Sequence, residues 1–176
     1  PYSRHNPQFN KEALERALRG ADIAYVHLGR ELGGRPADPA CYVDGTVRFD
    51  LIARTPLFRA GLDRLRTGMR QQRVCILCAE KDPIACHRFL LVCRNLAAPG
   101  IRIRHILEDG SLEDHEAAEH RLLTLLKIPE LDLFAGTTEQ IEKACAMAAC
   151  TCWITRCSPR RGRGVGRPRG PERLEP

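Results

Sequence analysis

Val74-Cys75-Ile76-Leu77-Cys78-Ala79-Glu80-Lys81-Asp82-Pro83-Ile84-Ala85-Cys86-His87-Arg88 is the stretch around which the rest of the chain is read. It opens as a short apolar run with β-branched residues, breaks at a charged loop with a proline, and resumes at helical spacing. This predicts a buried strand, a turn and a helix start. Pro83 suits the first helical turn, where a missing N–H costs nothing. Phe89, Leu90, Cys93 and Leu96 continue the pattern until Pro99-Gly100 ends it. Cys78 and Glu80 are therefore expected at the carboxyl end of a strand. Cys86, His87 and Arg88 are expected in the first turn of the following helix. In open α/β sheets that edge is where ligands bind.

Outward from this stretch, helices and strands alternate. Asn10 is expected to cap a helix through Leu14, Ala17 and Leu18 that closes near Gly20. Ile23 to Leu28 reads as a strand, and Gly29 to Cys41 as a long loop containing Gly33-Gly34-Arg35. A short helix is expected from Phe49 to Ala53. Thr55 caps the next one, with Pro56 at its first position and Leu57, Gly61, Leu65 and Met69 along one face. Downstream come a strand over 101–107, a helix over 112–127, Leu131 to Phe134, and a helix from Thr138 to Ala149. The alternation predicts an α/β fold: a three-layer Rossmann-like sandwich with a mostly parallel sheet.

At 176 residues the chain suits one α/β domain over 1–150 and a basic tail over 151–176. A hydrophobic content of 43% allows a core. No apolar run approaches the roughly 18 residues a membrane span needs, so no membrane partner is expected. No basic-then-apolar leader is visible. Nine cysteines, an odd number without framework spacing, point to a reduced, cytoplasmic protein. From Arg156 onward seven arginines face Glu172 and Glu175, a net of +5 out of the +6 total, so the body is nearly neutral. Ser158 to Pro176 is Arg, Gly and Pro with almost no apolar residues and is expected to be disordered. Nucleic acid could bind through this tail, although Arg161-Gly162-Arg163 and Gly166-Arg167-Pro168-Arg169 match minor-groove hooks poorly.

The chemistry-bearing side chains lie in the central stretch. A thiol near a helix N-terminus and an arginine has a lowered pKa, and Cys86 fits that description best. Cys78 stands where the strand ends, whereas Cys75 and Cys93 read as inert packing. Glu80 is read as a general base or as the group orienting His87 or an arginine, with Lys81 and Asp82 as exposed loop charges. Arg88, Arg35 and Arg4, with the helix N-terminus, would clamp a phosphate or carboxylate. A metal centre, with zinc or iron on Cys78, Cys86 and His87 and with His105 as a further ligand from the next strand end, ranks below this reading. On a strand Cys75 and Cys78 face opposite sides, and on a helix Cys86 and His87 diverge by about 100°. Asp114, His115, Glu116, Glu119 and His120 read as a solvated charged face, because no His-Glu-x-x-His spacing is present.

Cys78-Ala79-Glu80-Lys81-Asp82-Pro83, two residues, then Cys86-His87-Arg88 resembles the signature of the family called domain of unknown function 488. Four further stretches agree: Ser3 to Asn10, Tyr25 to Gly29, Leu32 to Arg35, and His105-Ile106 with Asp109-Gly110. The resemblance spans roughly residues 1–135 and implies an α/β domain with an active site, but no particular reaction. It also implies two further N-terminal strands, with a Gly-His-Ser turn and an Asp-Val-Arg segment, so the chain is expected to be N-terminally truncated. From Ala149 to Trp153 the sequence departs from the family. With the resemblance, Gly33-Gly34-Arg35 reads as a ligand-binding turn rather than a plain one. Three functional readings follow. The first is an uncharacterised enzyme with catalytic Cys78, Glu80, Cys86 and His87, binding an anionic, phosphate- or nucleotide-like substrate through Arg4, Gly33, Gly34, Arg35 and Arg88. The others are a nucleic-acid-associated protein using the tail, and a metal or redox module. The first is preferred.

Overall fold

A computed structural model describes residues 6–129 and 136–151 of the chain. Asn10 precedes α1 (Lys11–Gly20), which buries no residue fully and lies at the surface. Two helices follow the glycine-rich loop, α2 (Phe49–Arg54) and α3 (Pro56–Met69). Thr55 separates them in an extended conformation, and its Oγ1 accepts a hydrogen bond from the Phe58 N–H at 3.2 Å. Pro56 occupies the first helical position, as its fixed φ favours. The buried face of α3 is Phe58, Gly61, Leu62 and Leu65, whereas Leu57 is 42% exposed. Gly61 and Leu65 of the expected face are buried and Met69 packs against the core, so only Leu57 departs, its place taken by Phe58 and Leu62.

The centre of the molecule is a π-helical stretch, Arg88–Cys93, running directly into α4 (Arg94–Leu96). Phe89, Leu90, Leu91, Val92, Cys93 and Leu96 are all buried, the all-round burial of a central helix. Helices α5 (His115–Leu125) and α6 (Thr137–Thr151) bring Leu122, Leu123, Ala144 and Cys145 to the same core, which α3 completes with Phe58.

Two short ribbons complete the described structure. β1 (Tyr42–Val43) pairs antiparallel with β2 (Thr46–Val47) across Asp44 and Gly45, both at positive φ. β3 (Arg104–Ile106) pairs antiparallel with β4 (Leu112–Asp114), in the register Arg104↔Asp114, His105↔Glu113, Ile106↔Leu112. Its turn uses Gly110 at φ +84°, and Asp109 Oδ1 accepts from the Ser111 N–H and hydroxyl at 2.9 and 2.6 Å.

The expected Rossmann-like sandwich is thereby overturned: among the described residues the only sheets are these two antiparallel ribbons. The apolar segments 23–28 and 73–78 form no ladder. Ile23, Val26 and Leu77 are each more than half exposed, and Val74 is 42% exposed. A parallel strand is buried on both faces, and these segments are not. The strand expected over 101–107 exists in its second half, but its partner is the next segment in sequence, folded back by a tight turn. Residues 112–114, expected as helix, supply that partner, and α5 begins only at His115. The helix expected from Pro83 starts five residues later. No helix among the described residues is long and apolar enough to cross a membrane. Leu131 to Phe134 and residues 152–176 lie outside the described residues.

Candidate functional site

Asp82 organises the loop that carries the site. Its Oδ1 accepts from the Ile84 N–H at 3.2 Å and so caps a single 3-10 turn, Pro83–Ala85. Arg121 of α5 then grips the same carboxylate, with Nη1 and Nη2 at 3.1 and 3.0 Å from its two oxygens. The other side of this guanidinium donates to both oxygens of Glu113 on β4 at 2.8 Å. One arginine therefore ties the loop to the β3–β4 ribbon. Asp82 is thus an anchored cap rather than a loose loop charge, and its paired guanidinium, foremost, holds its carboxyl below the usual carboxylate range. Lys81, by contrast, pairs with Glu108 at the surface.

Beyond the 3-10 turn the chain does not continue as a helix. Cys86 is extended, at φ −115° and ψ 144°, and only His87 enters the helical region. The divergence expected of neighbouring helical residues therefore does not arise. Cys86 Sγ and His87 Nδ1 stand 3.8 Å apart, and Cys78 Sγ reaches the same Nδ1 at 3.5 Å. Glu80 Oε2 completes the group, 2.6 Å from Cys78 Sγ and 3.1 Å from Cys86 Sγ. One ligating atom from each of the four residues lies within 4.8 Å of all the others.

Arg88 folds back over this cluster. Its Nη2 donates to the Glu80 carbonyl at 2.8 Å, and its Nε and backbone N–H approach Cys86 Sγ at 3.3 and 3.4 Å. The first free N–H of the helix is thus capped by a sulfur, not left open for an anion. π-Helical stretches such as the one starting here recur at functional sites.

The two sulfurs differ. Cys86 is fully buried, and its hydrogen bond to Cys78, with burial, pushes its thiol far up. The same bond from Cys86 draws the half-buried Cys78 thiol down, against burial. Burial alone would raise the Glu80 carboxyl, but hydrogen bonds from both sulfurs overcome it and hold it low. Burial also works to lower Arg88, and its contact with Cys86 reverses that. Cys78 is the sulfur more open to solvent, whereas Cys86 faces the Arg88 donors from a buried position. Cys93 is buried packing, its thiol pushed up to about 12 by burial. Cys75, expected to be packed, is exposed.

The structure brings together Cys78, Glu80, Cys86, His87 and Arg88, all from one segment of eleven residues. Gly33, Gly34 and Arg35 belong to a separate turn. A Cβ at Gly33 would meet the Gly29 carbonyl oxygen at 2.3 Å, so chain packing explains that glycine. Arg35 is exposed, and its charge acts on Tyr42. Arg4 and the tail 158–176 lie outside the described residues.

Sequence reasoning missed a second buried polar group. His105 Nε2 and His115 Nδ1 are 2.9 Å apart, and both rings lie against Phe89. His115 Nε2 is 3.4 Å from a Glu119 carboxylate oxygen, with both side chains largely buried. Burial draws His105 down to about 4 and lowers His115, while it raises Glu119. The face read as solvated is therefore divided: Asp114, Glu116 and His120 are exposed, but His115 and Glu119 turn inward. Asp109-Gly110 between apolar Ile106 and Leu112 was the available signal, since a hairpin there brings residues 105 and 115 together.

A family described as domain of unknown function DUF488 matches residues 1–94. The match includes the whole cluster and stops where α4 begins, so the β3–β4 ribbon and α5 lie outside it. No curated protein and no solved structure matches the chain.

Proposed function

The chain belongs to the family described as domain of unknown function DUF488, and on that premise we propose that it is an enzyme acting on a small anionic, phosphate- or nucleotide-like substrate. Its centre is Cys78, Glu80, Cys86 and His87, working by nucleophilic or acid–base chemistry. Cys78 is the sulfur a substrate can reach, Glu80 and His87 are the proton carriers, and Arg88 supplies the positive charge that recognises the anion. The observation that carries this reading is the convergence of four reactive groups within 4.8 Å beneath one half-buried guanidinium. Four such groups from eleven residues cost desolvation and side-chain entropy that an inert loop would not need.

Thermal stabilisation of the intact chain by a panel of phosphorylated and nucleotide ligands tests it. At a hundredfold excess over Kd a ligand contributes about 2.7 kcal/mol. For a chain of this size that raises Tm by roughly 5–10 °C. Arg88→Gln is expected to abolish the shift. A panel in which no anion stabilises the chain, or in which Arg88→Gln leaves the shift intact, would remove the anionic-substrate reading.

A further inference from the structure

We propose that Cys78, Cys86 and His87, with Glu80 as the fourth and adjustable ligand, form a zinc-binding site. The proposal rests on the reading of these four residues as the working centre and takes its acid–base alternative, in which the sulfurs hold the ion and do not attack. Its first support is the spacing of the donor atoms. Tetrahedral zinc with bonds of about 2.0–2.3 Å sets its ligands roughly 3.3–3.8 Å from one another. The two sulfur-to-imidazole distances, 3.5 and 3.8 Å, already meet that requirement. The two short distances, 2.6 and 3.1 Å, both involve Glu80 Oε2. A glutamate has two methylenes with which to withdraw by less than 1 Å, so the ligand that must adjust is the flexible one.

The second support is the local backbone. The ligands are held by a loop that is itself capped by Asp82 and clamped by Arg121. Cys86 leaves the helical conformation where His87 begins it, which turns both side chains to one point. A site held in this way needs little reorganisation on binding.

The third is charge and outer contacts. Two thiolates and a carboxylate carry −3, and Arg88 with a divalent ion supplies +3, so the loaded cluster is neutral in its half-buried setting. Cys86 Sγ, wholly buried, faces the backbone N–H and the Nε–H of Arg88 at 3.4 and 3.3 Å. Donors aimed at a ligating sulfur are the outer contacts that orient and tune metal ligands. Sulfur and imidazole donors select zinc and its neighbours over magnesium or calcium, which take oxygen.

Elemental analysis of the full chain, purified under reducing conditions without chelator, is the test. The expected result is about one zinc per chain, falling by at least tenfold in Cys78→Ser and in Cys86→Ser and unchanged in the exposed control Cys75→Ser. Because the serine variants could unfold, a second measurement uses the unaltered protein. After chelation and dialysis under reductant, one equivalent of cobalt(II) should give the ligand-field and sulfur-to-cobalt charge-transfer bands of a tetrahedral thiolate site, and zinc should abolish them. A chain that takes up neither ion, one that holds iron instead, or one whose zinc survives in the Cys78→Ser/Cys86→Ser double variant would overturn the proposal. The anion panel, run on stripped and loaded protein, separates the two readings. Zinc without Arg88-dependent stabilisation removes the anionic substrate alone, and anion binding by a chain that refuses zinc removes the metal alone.

Discussion

At Gly33 the side chain is absent because Gly29 leaves no room for one. An added Cβ would stand 2.3 Å from a backbone oxygen, which cannot swing aside as a flexible side chain could. Gly33→Ala is therefore expected to cost about 1–3 kcal/mol, as overpacking does. For a chain of this size each kcal/mol lowers Tm by roughly 2–4 °C. Calorimetry on the two proteins measures this directly. An unchanged Tm would mean that the turn opens freely and that the glycine serves something else, such as a ligand. The same scale separates the two cysteines by exposure. The sequence places Cys86 at a helix terminus, the setting that activates sulfur. In the structure it caps the helix itself and is closed off from solvent, while Cys78 remains reachable.

Between elements, the contact that matters most to the site is Arg121, which joins α5 to the site loop and to β4. Arg121→Gln removes two partly exposed pairs, each worth about 0.2–1 kcal/mol, so the loss of stability should stay below roughly 2 kcal/mol. The loop that presents the ligands would lose its anchor. Supports of this kind commonly change metal affinity by about 10–100-fold. Competition against a zinc chelator should therefore show weakened binding in a chain that is still folded. Stability lost with affinity unchanged would make the bridge a contact of the fold alone. The element scale also shows what was legible in the sequence. The start of α1 after Asn10, the Thr55 cap and Pro56 first position of α3, and the burial of Phe89, Leu90, Cys93 and Leu96, follow from local rules and hold. The strands at 23–28 and 73–78 do not, because an apolar run states a preference, whereas a ladder needs a partner elsewhere in the chain. Residues 78–88 were legible as a dense site. Its internal geometry was not, because Asp82-Pro83 starts a capped 3-10 turn in place of a helix, and that single turn decides whether Cys86 and His87 diverge or converge.

At the scale of the whole molecule, the buried histidine pair links the ribbon, α5 and the central helix, and so couples global stability to pH. His105 is drawn down to about 4 by burial first and then by His115, while Glu113 opposes and the Arg88 and Arg121 charges add to the lowering. Against an unfolded value of about 6.5, the unfolded chain binds more protons than the folded one between pH 6.5 and 4. Stability must then rise with pH across that window, and must fall as acid is added from pH 6.5 down to about 4. His115 is lowered too and acts in the same direction. Glu119, raised by burial and by Glu116, acts the other way above its unfolded value. Two histidines, one of them shifted far, outweigh one carboxyl, so the net slope is set by the histidines. Urea midpoints at pH 7.0, 5.5 and 4.5 should decrease in that order, and His105→Gln, which keeps a hydrogen-bonding side chain without a titrating ring, should flatten the decline. If the unaltered chain showed the same midpoint at all three values, His105 would be titrating as an ordinary exposed histidine. The pairing of β3 with α5 would then not close over it, and the core around Phe89 would be open on that side.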